Sequence, residues 1–242
     1  MTEKGFDYGA EASSNAGFVQ ATAGPHSARV RSIIHIGKCK ETYGKTIKAA
    51  CNEVVFIFEL KNQEDVDEAG KPIAVDKACP LKKGDKATIQ KLRVALDPTA
   101  KTMGDLIGTC ATVIMSPGKD LDSDGKPKYV NYDSIAAMQA DFKEMVKPLT
   151  DVGVGHVLFK DITKEAIMEL NPARHVRKLM MGAEDYPGSK AEQIVNEILA
   201  EDPDFGKAKV KEDDEAQEQQ QEQAPPMDNP PPPCELDPSQ QF

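Results

Sequence analysis

The sequence predicts a mainly β fold: a five-stranded barrel with a helix between its third and fourth strands, then a small helical region and a disordered acidic tail. Three observations carry this. Runs rich in β-branched and aromatic residues recur five times between residues 28 and 135. A single stretch of helical periodicity interrupts them at 82–97. Beyond Phe205 the chain loses its hydrophobes. The expected organisation is a disordered arm at 1–24, a β domain at 25–140, a helical extension at 141–206 and a tail at 207–242.

Residues 1–24 are rich in Gly, Ala and Ser with scattered acids, a composition that cannot bury enough apolar surface to order itself. ARVRSIIHI (28–36) alternates, which puts Ala28, Val30, Ile34 and Ile36 on one side and Arg29, Arg31 and His35 on the other. After the basic stretch GKCKETYGKT (37–46), NEVVFIFEL (52–60) reads as a buried strand. PIAVDKAC (72–79) follows the turn signal DEAGKP (67–72). In KKGDKATIQKLRVALD (82–97), Ile89, Leu92 and Leu96 recur at helical spacing, with Asp85 where an N-cap would sit. GTCATVIMS (108–116) and KYVNYDSI (128–135) flank the turn DSDGKP (122–127), so the two G-K-P turns each connect neighbouring strands.

From about 141 the pattern turns helical, with one strand-like insert, VGVGHVLFK (152–160). ITKEAIMEL (162–170) and ARHVRKLMM (173–181) read as short helices. SKAEQIVNEILAED (189–202) is a third, with Ser189 and Glu192 as a capping box and Ile194, Val195, Ile198 and Leu199 as its apolar face. These faces call for packing on the barrel plus contacts with a second copy. The low-complexity Gln/Pro stretch at 215–233 cannot build a core.

Several function classes lose their footing. The longest nearly uncharged apolar run, LIGTCATVIMS (106–116), is too short to cross a bilayer, and the first residues lack a secretory pattern. Cys39, Cys51, Cys79, Cys110 and Cys234 are odd in number and widely spaced, and His26, His35, His156 and His175 have no ligand spacing. The expected setting is a reducing cytoplasm, with no metal and no cofactor. YGKT (43–46) lacks the spacing of a phosphate loop. DLDSDG (120–125) starts like a calcium loop, but Asn131 stands where the bidentate Glu belongs and Pro127 intrudes, so a hairpin turn accounts for it. No Ser-His-Asp, Cys-His or paired-carboxylate arrangement can be assembled, and the expectation is a protein that is not an enzyme.

Charge is more informative. The chain carries −10 overall, but residues 212–242 hold nine acids and no Lys or Arg, and the remaining residues sum to −1. Within 29–101, 15 Lys/Arg stand against 10 Asp/Glu. Arg29, Arg31, Lys38, Lys40, Lys45 and Lys48 fall within twenty residues that contain one acid, Glu41, with Tyr43 among them. Lys82, Lys83 and Lys86 mark the helix region, and Lys128, Tyr129 and Tyr132 mark the last strand. Single-stranded nucleic acid is held by this mixture, cations following the phosphates and flat side chains stacking on bases. Phe56 and Phe58 are assigned to the core; for the three tyrosines, stacking and packing both stay open. No recognition helix or finger for duplex DNA is found.

Five strands with a helix between the third and fourth is the element order of the OB-fold, a small barrel that commonly binds oligonucleotides. Over about residues 25–136 the chain resembles phage-encoded single-stranded-DNA-binding proteins, chiefly through ARVRSIIHIGKC, VVFIFEL, DLIGTCATVIM and GKPKYVNYDSI. The acidic tail ending in Phe242 is a second similarity, though the final residues DPSQQF put two Gln before the Phe. The resemblance implies action in phage DNA replication or recombination in the cytoplasm of a host bacterium. It also implies a tail that covers the DNA groove and recruits a phage DNA polymerase or other replication proteins through Phe242. The alternative from a different class is a phage structural or assembly protein using the barrel as a scaffold.

Overall fold

The computed structural model describes residues 21–205, apart from Glu41, Gly44, Lys45, Lys48, Glu68, Asp120, residues 122–126, Lys128, Val152, residues 171–173 and Asp204. The side chains of Thr42, Tyr43, Thr46, Ile47, Arg174, His175 and Arg177 are likewise not described. The expected tail, Phe242 and all but the last residues of the expected N-terminal arm lie outside the described residues.

Five long strands form one antiparallel sheet: β1 (Gly24–Cys39), β4 (Cys51–Leu60), β5 (Ala74–Pro80), β6 (Cys110–Pro117) and β7 (Val130–Ala137). Between the first two, β2 (Thr42–Tyr43) and β3 (Thr46–Ile47) make a small hairpin of their own. The spatial order is β5-β4-β1-β6-β7, with helix α1 (Thr88–Leu96) between the third and fourth long strands. β1 serves both halves: Gly24 to Arg29 pair with β6, and Ala28 to Cys39 pair with β4. The sheet curls into a half-barrel of OB-like connectivity, as expected. Among the described residues no ladder joins the outer strands β5 and β7.

The alternation expected along β1 is corrected. A register shift between Val30 and Ser32 inserts one residue and exchanges the two faces beyond it, and a second shift between His35 and Gly37 exchanges them back. Ala28, Val30 and Ile33 therefore point into the barrel, whereas Ile34, Ile36 and Cys39 point out. The same division runs along β4, with Val54, Phe56, Phe58 and Leu60 inward and Val55 and Ile57 outward. That strand is buried on both faces, which explains its unbroken apolar run.

Each inward side chain that is fully buried contributes about 1.5–3 kcal/mol. α1 closes the barrel with Ile89, Leu92 and Leu96. Its cap differs from the expectation. Ala87 occupies the N-cap without a side-chain bond, and Asp85 sits exposed in the preceding turn, where the Ala87 N–H donates to the Gly84 carbonyl at 3.0 Å.

The outward face is covered by the helical region. α2 (Ala140–Met145) and the short strand β8 (Gly155–Val157) lead into α3 (Lys164–Glu169), α4 (Arg174–Met181) and α5 (Lys190–Glu201). β8 pairs parallel with β1 just past its bulge. Ile167, Val176, Met180, Ala191, Val195 and Ile198 join Ile34, Ile36, Val55 and Ile57 in one core. Half of the capping box expected for α5 is present: Ser189 Oγ accepts from the Glu192 N–H at 3.2 Å, while Glu192 Oε2 accepts from the N–H of Gly188, one residue before the cap, at 2.6 Å. The helical region is thus the barrel's outer layer. No helix among the described residues is long and apolar enough to cross a membrane.

Candidate nucleic-acid interface

The ends of three strands gather the lysines. Lys38 of β1 is in register with Asn52 of β4, and Asn52 O accepts from the Leu81 N–H just past β5 at 2.7 Å. Lys38, Asn52 and Leu81 form one row across the sheet, so Lys38 and Lys82 sit at the same edge, about 10 Å apart by strand spacing. Lys40 stands at the start of the loop that carries β2 and β3, and Lys82, Lys83 and Lys86 lie in the turn before α1; all four are exposed.

This edge is braced from behind. The Lys38 N–H donates to Asp185 Oδ1 at 2.7 Å, and its carbonyl accepts from the Glu184 N–H at 2.8 Å. Gly37 makes the approach possible. Its φ is +93°, and a Cβ there would lie 2.5 Å from Asp185 Oδ1. Lys40 Nζ is 3.5 Å from Glu184 Oε1, an exposed pair of small energetic weight. Tyr43 is placed by its backbone alone, on β2. Lys45, Lys48, Lys128 and Phe242 lie outside the described residues.

Of the aromatic candidates, Tyr132 lies at the seam between β5 and β7. The Tyr132 ring lies 6.1 Å from Phe58, with 20° between their planes. Lys77 Nζ of β5 stands 5.1 Å from the Tyr132 centroid, so a cation–π contact bridges the open gap. Burial pushes the Tyr132 hydroxyl well above its ordinary range, with Cys79 and Asp133 adding to the effect. Tyr129, in the β6–β7 connection, is 56% exposed, and its carbonyl accepts from the Gly118 N–H at 2.7 Å. Packing claims part of Tyr132, while the Tyr129 ring faces solvent. Lys77 escaped the sequence reading. Alternation in β5 puts it on the face of Val75 and Cys79, which was the signal available.

The two arginines do something else. Arg29 donates from Nη1 to the Gly108 carbonyl and from Nη2 to the Val146 carbonyl, both at 2.7 Å, and from Nε to the Lys147 carbonyl at 2.8 Å. Arg31 is buried within a ring of carboxylates. Its Nε donates to Glu169 Oε1 at 2.7 Å, and its other nitrogens lie 3.7 Å from Glu59 Oε2 and 3.6 Å from Asp151 Oδ2. Ser32 Oγ also donates to Glu169 Oε1, and Lys61 Nζ pairs with Glu59. A phosphate cannot reach a guanidinium already enclosed by acids, so Arg31 is removed from the contact set. Arg29 is removed with it, because three of its five N–H donors are engaged by backbone carbonyls.

α3–α5 also cover the outward face of β1, β4 and β5. That part of the outward face is therefore closed to a ligand. Among the described residues no group of three or more His, Cys, Asp or Glu side chains is arranged to hold a metal ion. No family model matches the chain, and no curated protein matches it in sequence.

Proposed function

We propose that this protein binds single-stranded DNA with little sequence preference during phage DNA replication or recombination. Lys38, Lys40, Lys45, Lys48, Lys82, Lys83, Lys86 and Lys128 contact phosphates, Tyr43 and Tyr129 offer stacking faces, and Tyr132 with Lys77 lines the seam beside them. The observation that carries the reading is the row Lys38–Asn52–Leu81, which brings the cationic ends of β1 and β5 to one edge of an OB-like sheet. In folds of this kind the loops after the first and fourth strands are those that commonly grip oligonucleotides. Here they are the loops bearing Lys40 and Tyr43, and Lys128 and Tyr129. The acidic tail, 212–242, competes with DNA for the same cations and offers Phe242 to a phage polymerase or other replication proteins.

The test is a mobility shift with an oligo-dT strand at two salt concentrations. Neutralising about four to six phosphates gives a log–log salt slope of about −3 to −4. Absence of salt-sensitive binding overturns the reading in favour of a phage structural or assembly protein.

A further inference from the structure

Cys39 and Cys51 close the neck of the loop that carries Lys40, Tyr43, Lys45 and Lys48. They are register partners on β1 and β4. Both lie on the outward face of the sheet: Cys39 belongs to the outer core, and Cys51 is two pleats along from Val55 of that core. The Lys38 N–H and C=O both bond away from β4, so the next pair, Cys39–Cys51, is the kind whose backbones bond each other. Such a pair has its Cα atoms about 5.5 Å apart, inside the range of about 4.4–6.8 Å that a disulfide spans. Its Cβ atoms also stand about 5.5 Å apart, wider than the about 3.5–4.5 Å of a relaxed bond, so the bond closes with strain and is readily reduced. Both carry thiols.

We propose that Cys39 and Cys51 form an intrachain disulfide by exchange with a low-molecular-weight disulfide of the glutathione class, locking the neck of the 40–50 loop. Cys51 is half-buried and attacks first. Burial, helped by Glu53, pushes the Cys39 thiol up to about 12, which keeps it from attacking first. The Cys51 thiolate bonds to one sulfur of the small disulfide and expels the other as a small thiol. Cys39 then gives up its proton and attacks the Cys51 sulfur, expelling the second small thiol. Two protein thiols are oxidised and one small disulfide is reduced to two thiols. The cost on the protein side is that strain together with the weak bonds from Cys39 Sγ to the Leu179 carbonyl at 3.4 Å and to the Ile36 and Gly37 carbonyls at 3.8 Å.

The bond itself is independent of the DNA-binding reading; only its effect on ligand affinity rests on that reading. The experiment incubates the full chain with oxidised glutathione, alkylates it and maps tryptic peptides without reductant. The expected result is a peptide joining Cys39 to Cys51 with the loss of two hydrogens, reversed by dithiothreitol and absent in C51S. Cys51 held as a glutathione adduct, or linked to Cys234 or to another chain, overturns the proposal. Oligo-dT affinity is read in parallel on the wild type and on C51S. A change of about fivefold or more on oxidation of the wild type alone supports control of the loop. A mapped Cys39–Cys51 bond with oligo-dT affinity unchanged overturns that control. Failure to bind oligo-dT in either redox state overturns the DNA-binding reading instead, and leaves the disulfide standing.

Discussion

His35 of β1 and His156 of β8 meet head to head, Nε2 to Nε2 at 3.0 Å, with ring centroids 5.2 Å apart. One nitrogen donates and the other accepts, so the contact holds while at most one ring is charged. It ties the start of the helical layer to the barrel.

Acidification is expected to loosen that tie. Burial, then His156, holds the His35 imidazole down from its ordinary value near 6.5 to about 4, and burial lowers His156 too. Between those two values the unfolded chain binds a proton that the folded chain refuses. The His35 contribution is therefore complete above about pH 6.5 and declines as the pH falls toward about 4. Urea midpoints across that window should fall in the wild type and fall less in H35Q.

Removing Arg31 strands the buried Glu169 carboxylate and leaves Glu59 with Lys61 as its cation. R31M leaves Glu59 and Glu169 without their guanidinium, at 1% and 8% exposure. The expected cost is about 3–5 kcal/mol in urea denaturation. Adding E169L to R31M should recover part of it, because the stranded charge is gone.

G37A should cost more than G70A. Both glycines have positive φ, +93° and +74°, a strain of about 1–3 kcal/mol for a side chain. At Gly70 an added Cβ meets nothing within 4 Å, whereas at Gly37 it meets Asp185 Oδ1 and the Ala183 methyl. Thermal unfolding of the two variants isolates the close approach that braces the end of β1.

Y129A should weaken oligo-dT binding by about 1–3 kcal/mol with the fold intact, since this ring faces water. Y132A should lower binding and stability together, because its ring also packs on Phe58. K83A should flatten the salt slope by about 0.7 if that lysine meets one phosphate.

Deleting residues 212–242 removes nine acids and no cation. Oligo-dT affinity should rise and its response to added salt should flatten, as an internal competitor at high effective concentration is lost. Unchanged affinity removes the masking role of the tail.

The strands and α1 were legible because their signals are local: alternation, β-branched runs and a single helical period. The face exchange in β1 was not, because a bulge leaves no mark in the spacing of apolar residues. Its extra position is stabilised by partners 28 and 138 residues away, Glu59 and Glu169. Composition likewise counts Arg29 and Arg31 as free cations, and only the fold reveals the carbonyls and carboxylates that engage them. Asp85 looked like a cap because a good cap residue preceded an apolar period, yet the turn at Gly84 delays the helix until Thr88. The lysine clusters could be read as clusters, but their meeting at one edge depends on strand pairing.

The outer helices have a practical corollary for shortening the chain. A product stopped after residue 140 would expose Ile34, Ile36, Val55 and Ile57 to water on one side of two adjoining strands. Such a surface is an aggregation liability, so a trimmed barrel would precipitate or accumulate in inclusion bodies instead of behaving as a minimal binder.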